Sequence, residues 1–115
     1  MTAGEGGELA ISEWTIAEFS SALSLKLRLG SIGIETREAA LDAFASMIAE
    51  SLVLLPVESG HFRTAASFAD RQARNLRAPD AIHLAVAAEH SAVLVTLDRR
   101  MVAAAKALGV ATKLA

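Results

Sequence analysis

The apolar positions of this chain change period several times, and each change marks an element. Leu9-Ala10-Ile11-Ser12 is a short aliphatic run that reads as a strand entering a helix, with Ser12 at the N-cap. Ile16, Phe19, Leu23 and Leu27 then recur three and four residues apart, predicting a helix to about Leu29 with a core-facing stripe. Gly30 stops it, because glycine enters a left-handed C-terminal turn without a Cβ clash. Ala40, Phe44, Met47 and Ile48 predict a second helix over residues 36–50. The unbroken aliphatic run at residues 52–57, interrupted only by Pro56, predicts a buried parallel strand. A third helix is expected over residues 58–75.

Pro79 suits the first turn of a fourth helix, where its missing amide hydrogen has no helical partner to lose. That helix, to about His90, is apolar almost all round (Ala81, Ile82, Leu84, Ala85, Val86) and is expected to be buried. Residues 92–96 form another aliphatic strand, residues 99–108 a last helix closed by Gly109, and residues 110–113 an edge strand. Strands alternating with helices predict a single α/β domain over residues 1–115, with a short parallel sheet between helical layers.

Composition narrows the chemistry. Hydrophobic residues make up 53% of the 115 but aromatics only 4%, so the core is built from Ala, Leu, Val and Ile. There is no cysteine, which removes disulfides, thiolate metal sites and thiol catalysis together. The first eight residues lack the basic flank and apolar run of a secretory leader, and no charge-free stretch is long enough to span a bilayer. A cytoplasmic protein is expected. The net charge of −2 hides an asymmetry: residues 1–60 carry nine acids against three bases, residues 61–115 four acids against eight bases. A basic half holding a few isolated acids suits a metal site that receives a polyanion; segregated surface charge is the plainer alternative.

Two of those four acids stand out. Asp80 and Asp98 each lie in apolar sequence at the start of a predicted helix, with a predicted strand between them. Each has a structural reason to be there: Asp80 complements a helix dipole and Asp98 caps a helix. Together they fall on the edge of an α/β sheet where ligands of open sheets bind. Glu18 projects away from the core stripe of the first helix, among Trp14, Ala22, Leu25 and Leu29, with no base three or four residues away. It is either an exposed acid on a helix packed on one side or an acid that needs a cation. Thr96 could hold a carboxylate or a water through its hydroxyl. His83, one turn after Asp80, reads as a satisfied buried histidine, whereas His61 and His90 read as surface residues. Arg71, Arg74, Arg77, Arg99 and Arg100 flank the two aspartates and either contact phosphates or form solvated faces. No Gly-rich phosphate loop, nucleophile elbow or Cys/His cluster occurs, and carboxylates alone point to Mg²⁺ or Mn²⁺, which assist phosphodiester hydrolysis.

From about Leu9 onward the chain resembles the PIN-domain ribonucleases of the VapC toxin type. The matching residues are Ala17-Glu18-Phe19, then Ala78-Pro79-Asp80-Ala81-Ile82-His83-Leu84-Ala85, then Val95-Thr96-Leu97-Asp98-Arg99-Arg100-Met101, and the closing Ala105-Lys106-Ala107-Leu108-Gly109-Val110. The resemblance implies a PIN-like three-layer α/β/α fold and RNA cleavage by metal-activated water. It implies that Glu18, Asp80 and Asp98 serve as metal-site acids with Thr96 supporting, and that Arg74, Arg77, Arg99 and Arg100 contact RNA. It also implies a small antitoxin partner and a homodimer. The family places a further strand and a metal-binding Asp ahead of the position of Leu9. Met1 to Glu8 supply neither, and Glu5 and Glu8 lie in a Gly-rich stretch. A PIN-like domain with its N-terminal strand missing is therefore expected, with unpaired backbone beside the gap. The alternative function is a catalytically inactive remnant that binds only an antitoxin or a second copy of itself.

Overall fold

The computed structural model describes residues 2–3, 9–71, 76–96 and 98–115. The strands are β1 (Thr2–Ala3), β2 (Leu9–Ser12), β3 (Val53–Leu55), β4 (Val93–Thr96) and β5 (Thr112–Leu114). The helices are α1 (Glu13–Arg28), α2 (Ile34–Ser51), α3 (Ser59–Arg71), α4 (Ala78–Glu89) and α5 (Arg99–Ala107). The expected end of the third helix at residue 75, and Glu5 and Glu8, lie outside the described residues.

Local chemistry sets the helix ends as the sequence leads one to expect. Ser12 caps α1, its hydroxyl accepting the Thr15 amide N–H at 3.4 Å. Gly30 and Gly109 stand just past the C-caps of α1 and α5 with φ of 74° and 75°, in the left-handed region that favours glycine.

The α/β architecture is as expected, but the sheet is mixed rather than parallel. Its order is β3-β2-β1-β4-β5. β2 pairs with β3, and β4 with β5, in parallel, with Ile11 opposite Leu54 and Val95 opposite Lys113. Between the two pairs lies β1, antiparallel to both, with Thr2 opposite Ala10 on one side and Leu94 on the other. The central position expected to be a gap is thus bridged by two residues. Its direction follows from chain length: five residues separate β1 from β2, enough for a reversal but too few for the crossover that parallel pairing requires.

The core gathers on the C-terminal half. Ala65 and Phe68 of α3, Ala81, Ile82, Leu84, Ala85 and Ala87 of α4, Leu94 of β4, and Met101 and Ala105 of α5 form one buried cluster. The all-round apolar α4 is buried as predicted, because α3 and β4 both pack on it. Two expectations fail here. β3 is parallel but not buried: it sits at the sheet edge, and Val53 and Leu54 are exposed. The α2 stripe does not reach the core, and no α2 residue is buried. Instead α2 packs on α1, where the Phe19 and Phe44 rings lie 4.2 Å apart between centroids. Leu25, Leu29, Ile34 and Met47 of this helical hairpin are exposed. Among the described residues, no helix is long and apolar enough to cross a membrane.

Candidate carboxylate site

Asp80 is carried by the first turn of α4, behind the helix-starting Pro79. The buried face of the following turns fixes that helix, and so fixes where the carboxylate stands. Burial pushes the Asp80 carboxyl above its ordinary value, and the negative charges of Asp98 and Glu18 push it the same way. His83 and Arg77 pull it back only in part. Acids on two other helices therefore act on Asp80, although 62 positions separate Glu18 from it in the chain.

Asp98 is the N-cap of α5, and its Oδ1 accepts the Arg100 amide N–H at 2.9 Å. Thr96 holds the same turn from the other side, its hydroxyl accepting the Asp98 amide N–H at 3.1 Å. Thr96 thus shapes the Asp98 backbone rather than gripping a carboxylate. The Arg100 side chain approaches Asp98 Oδ1 to 3.8 Å while remaining mostly exposed, a geometry of little energetic weight in water. Asp80 and Asp98 line one cleft of about 190 Å³ together with Leu76, Arg77, Arg100 and Met101.

Glu18 does not line that cleft. It opens on a neighbouring groove with Trp14, Ser21, Leu25 and Pro79, and its Oε1 is hydrogen-bonded to His83 Nε2 across the α1–α4 boundary. The expected histidine is satisfied but only half-buried, and its partner is one of the candidate acids. Of the arginines, Arg77 and Arg100 reach the cleft. The Arg71 guanidinium lies over the Phe68 ring, 5.2 Å from its centroid, and Arg99 is exposed at the start of α5. Arg74 lies outside the described residues.

Among the described residues, no three His, Asp or Glu side chains close on a point as a finished metal cage. The donor set nevertheless fits a hard divalent cation. It offers carboxylate oxygens, and one carboxylate is partly desolvated within reach of two others, so negative charge is concentrated without a full counter-charge. Mg²⁺ commonly takes one or two carboxylates directly and keeps several waters, which matches acids spaced beyond a closed cage.

His61, expected at the surface, lies in the interior. It is buried, with 4% of its surface exposed, because α3 packs its first turn on the end of α4. The Glu58 amide N–H donates to His61 Nδ1 at 2.9 Å, and His61 Nε2 bonds Glu89, an acid the sequence did not single out. The local signal was the three-residue step from Glu58 to His61, in which the side chain reaches back to a backbone donor at a helix start. His90 is exposed, as expected.

A model of the PIN domain family matches residues 2–107, nearly the whole chain. This chain belongs to the PIN domain family. Among curated proteins and among solved structures nothing matches it significantly. PIN domains are in general nucleases and typically use divalent metal ions, which places this PIN domain in the nuclease class at that level.

Proposed function

We propose that this PIN domain is a Mg²⁺- or Mn²⁺-dependent endoribonuclease of the VapC type, the toxin of a type II toxin–antitoxin pair. The observation that carries the reading is the cleft that half-buried Asp80 shares with Asp98, edged by Arg77 and Arg100, with Glu18 within electrostatic reach of Asp80. Asp80 and Asp98 would hold the ion, with Glu18 acting directly or through its waters. The chemistry such an ion supplies is an activated water and a stabilised leaving oxygen. Thr96 and the Asp98 cap keep the second aspartate at the mouth of α5. Arg77 and Arg100 place positive charge where an RNA backbone would pass.

The exposed apolar residues of the α1–α2 hairpin, Leu25, Leu29, Ile34 and Met47, support a protein partner, either an antitoxin or a second copy of the chain. They also favour a second reading in which the chain binds such a partner without cleaving RNA. Asp98→Asn separates the two. Asn caps a helix about as well as Asp, so folding is expected to survive. Mg²⁺-dependent cleavage of a mixed-sequence RNA is expected to be lost, and undiminished cleavage would overturn the assignment of the site. A wild-type chain that cleaves no RNA, together with partner binding that survives joint replacement of Glu18, Asp80 and Asp98, would favour the second reading.

A further inference from the structure

His83 follows Asp80 by three residues and so stands one turn further along the same face of α4. Its neighbours Ala81, Ile82, Leu84, Ala85 and Val86 are all buried, which makes α4 the most firmly held helix of the fold. Glu18 sits on a looser element: Leu23 is the one buried residue of α1 among those described. The Glu18 side chain retains 38% of its exposure, against 18% for His83. Without a tertiary partner a glutamate with that exposure would sample several rotamers, and no base lies three or four residues away on α1 to restrain it. The partner it has is His83 Nε2, which is bonded to Oε1. Oε2 makes no hydrogen bond to the described residues.

We propose that His83 is a positioning residue that anchors the Glu18 carboxylate beside Asp80, so that Glu18 enters the metal site already ordered. The inference rests on the ribonuclease reading for the identity of the site. Its own content is narrower: His83 acts through Glu18 and is not itself a ligand. A hydrogen-bonded residue behind a ligating carboxylate fixes the orientation of that carboxylate, and removing such a partner typically weakens metal binding about 10- to 100-fold. Without the His83 bond, the rotamer freedom of Glu18 has to be lost at the moment of metal binding instead of during folding.

The test is Mn²⁺ affinity of the full chain, read by the electron paramagnetic resonance of free Mn²⁺, for wild type, His83→Ala, His83→Gln, Glu18→Ala and His83→Ala/Glu18→Ala. His83→Ala is expected to weaken Mn²⁺ binding by about tenfold or more. His83→Gln, whose amide N–H can replace the Nε2 donor, is expected to recover most of the loss. In the Glu18→Ala background, His83→Ala should add less than about twofold, because the two side chains act as one unit. Equal affinity for wild type and His83→Ala would overturn the proposal and leave the ribonuclease reading standing. A loss that Gln does not repair and that persists without Glu18 would also overturn it, making His83 a ligand in its own right. A wild-type chain that neither binds Mn²⁺ nor cleaves RNA would remove the ribonuclease reading and this proposal with it. If His83→Ala fails to fold, ring ¹⁵N spectra of the wild type decide: the hydrogen-bonded Nε2–H should persist when Mg²⁺ is added, and its disappearance would overturn the positioning role.

Discussion

His61 and Glu89 tie the start of α3 to the end of α4, His61 Nε2 meeting Glu89 Oε2 at the end of α4 opposite Asp80. The ring is buried and both its nitrogens are engaged, one by the Glu58 amide N–H and the other by Glu89. Because α4 carries Asp80 and His83, this distant contact helps hold the helix on which the carboxylate cleft depends.

His61→Ala is therefore expected to destabilise the fold by about 2–3 kcal/mol, from lost packing and an orphaned amide donor. Urea denaturation measures it. RNA cleavage per folded molecule should be unchanged, since His61 does not line the Asp80–Asp98 cleft. A change in stability below about 0.5 kcal/mol, the level of an ordinary surface substitution, would contradict the observed burial.

Asp80 gives a pH prediction. Burial first, and then Asp98 and Glu18, raise its folded-state value above the ordinary 3.8. Between those two values the folded chain keeps a proton that the unfolded chain has released, so stability falls as pH rises through the window and stays lower above it. Asp80→Asn removes that penalty. The variant should be more stable than wild type at pH 7 without metal, and the gap should close below the ordinary value of 3.8. Saturating Mg²⁺ should raise the melting temperature of wild type much more than that of Asp80→Asn. Carboxyl chemical shifts add a direct check, because Asp98→Asn should lower the Asp80 titration midpoint.

The arginines separate by position. Arg77→Ala and Arg100→Ala should each weaken binding of single-stranded RNA by a similar factor for every sequence. Each should also reduce the salt slope by about 0.7, the value for one lost phosphate contact on a single strand. Arg71→Ala should leave that slope unchanged, because its guanidinium is spent on the Phe68 ring. Fluorescence anisotropy over a salt series distinguishes the three.

Trp14 packs against the core while its indole N–H is buried without a hydrogen-bond partner among the described residues. Such a donor costs about 1–3 kcal/mol relative to a satisfied one. Trp14→Phe removes the donor as well as part of the ring, so the two effects should nearly cancel and leave stability within about 1 kcal/mol of wild type. Trp14→Ala, which loses the whole ring, should cost about 3–5 kcal/mol. Thermal denaturation followed by far-ultraviolet circular dichroism reads both, since the chain has no other tryptophan to report by fluorescence.

Local chemistry was the readable part of this chain. The Ser12 cap, the left-handed turns at Gly30 and Gly109, the Pro79 start and the buried α4 all follow from a few neighbouring residues. Asp80 and Asp98 could be singled out because an acid inside an apolar run at a helix start is conspicuous without any knowledge of the fold. Glu18 could be singled out because its own helix offers no counter-charge.

What depended on elements far apart in sequence was decided only when they packed. His61 was buried by a helix 17 residues downstream, and the α2 stripe met α1 instead of the core. The central place in the sheet went to Thr2–Ala3, a segment with no periodicity to reveal it, and the short connection forced that pairing to be antiparallel. The bond between His83 and Glu18 belongs to the same kind. Sequence determines what each residue can donate, accept or bury within a turn or two of itself. Which partner meets it across 65 positions is set by how buried surfaces fit together, and that fit exists only in the folded chain.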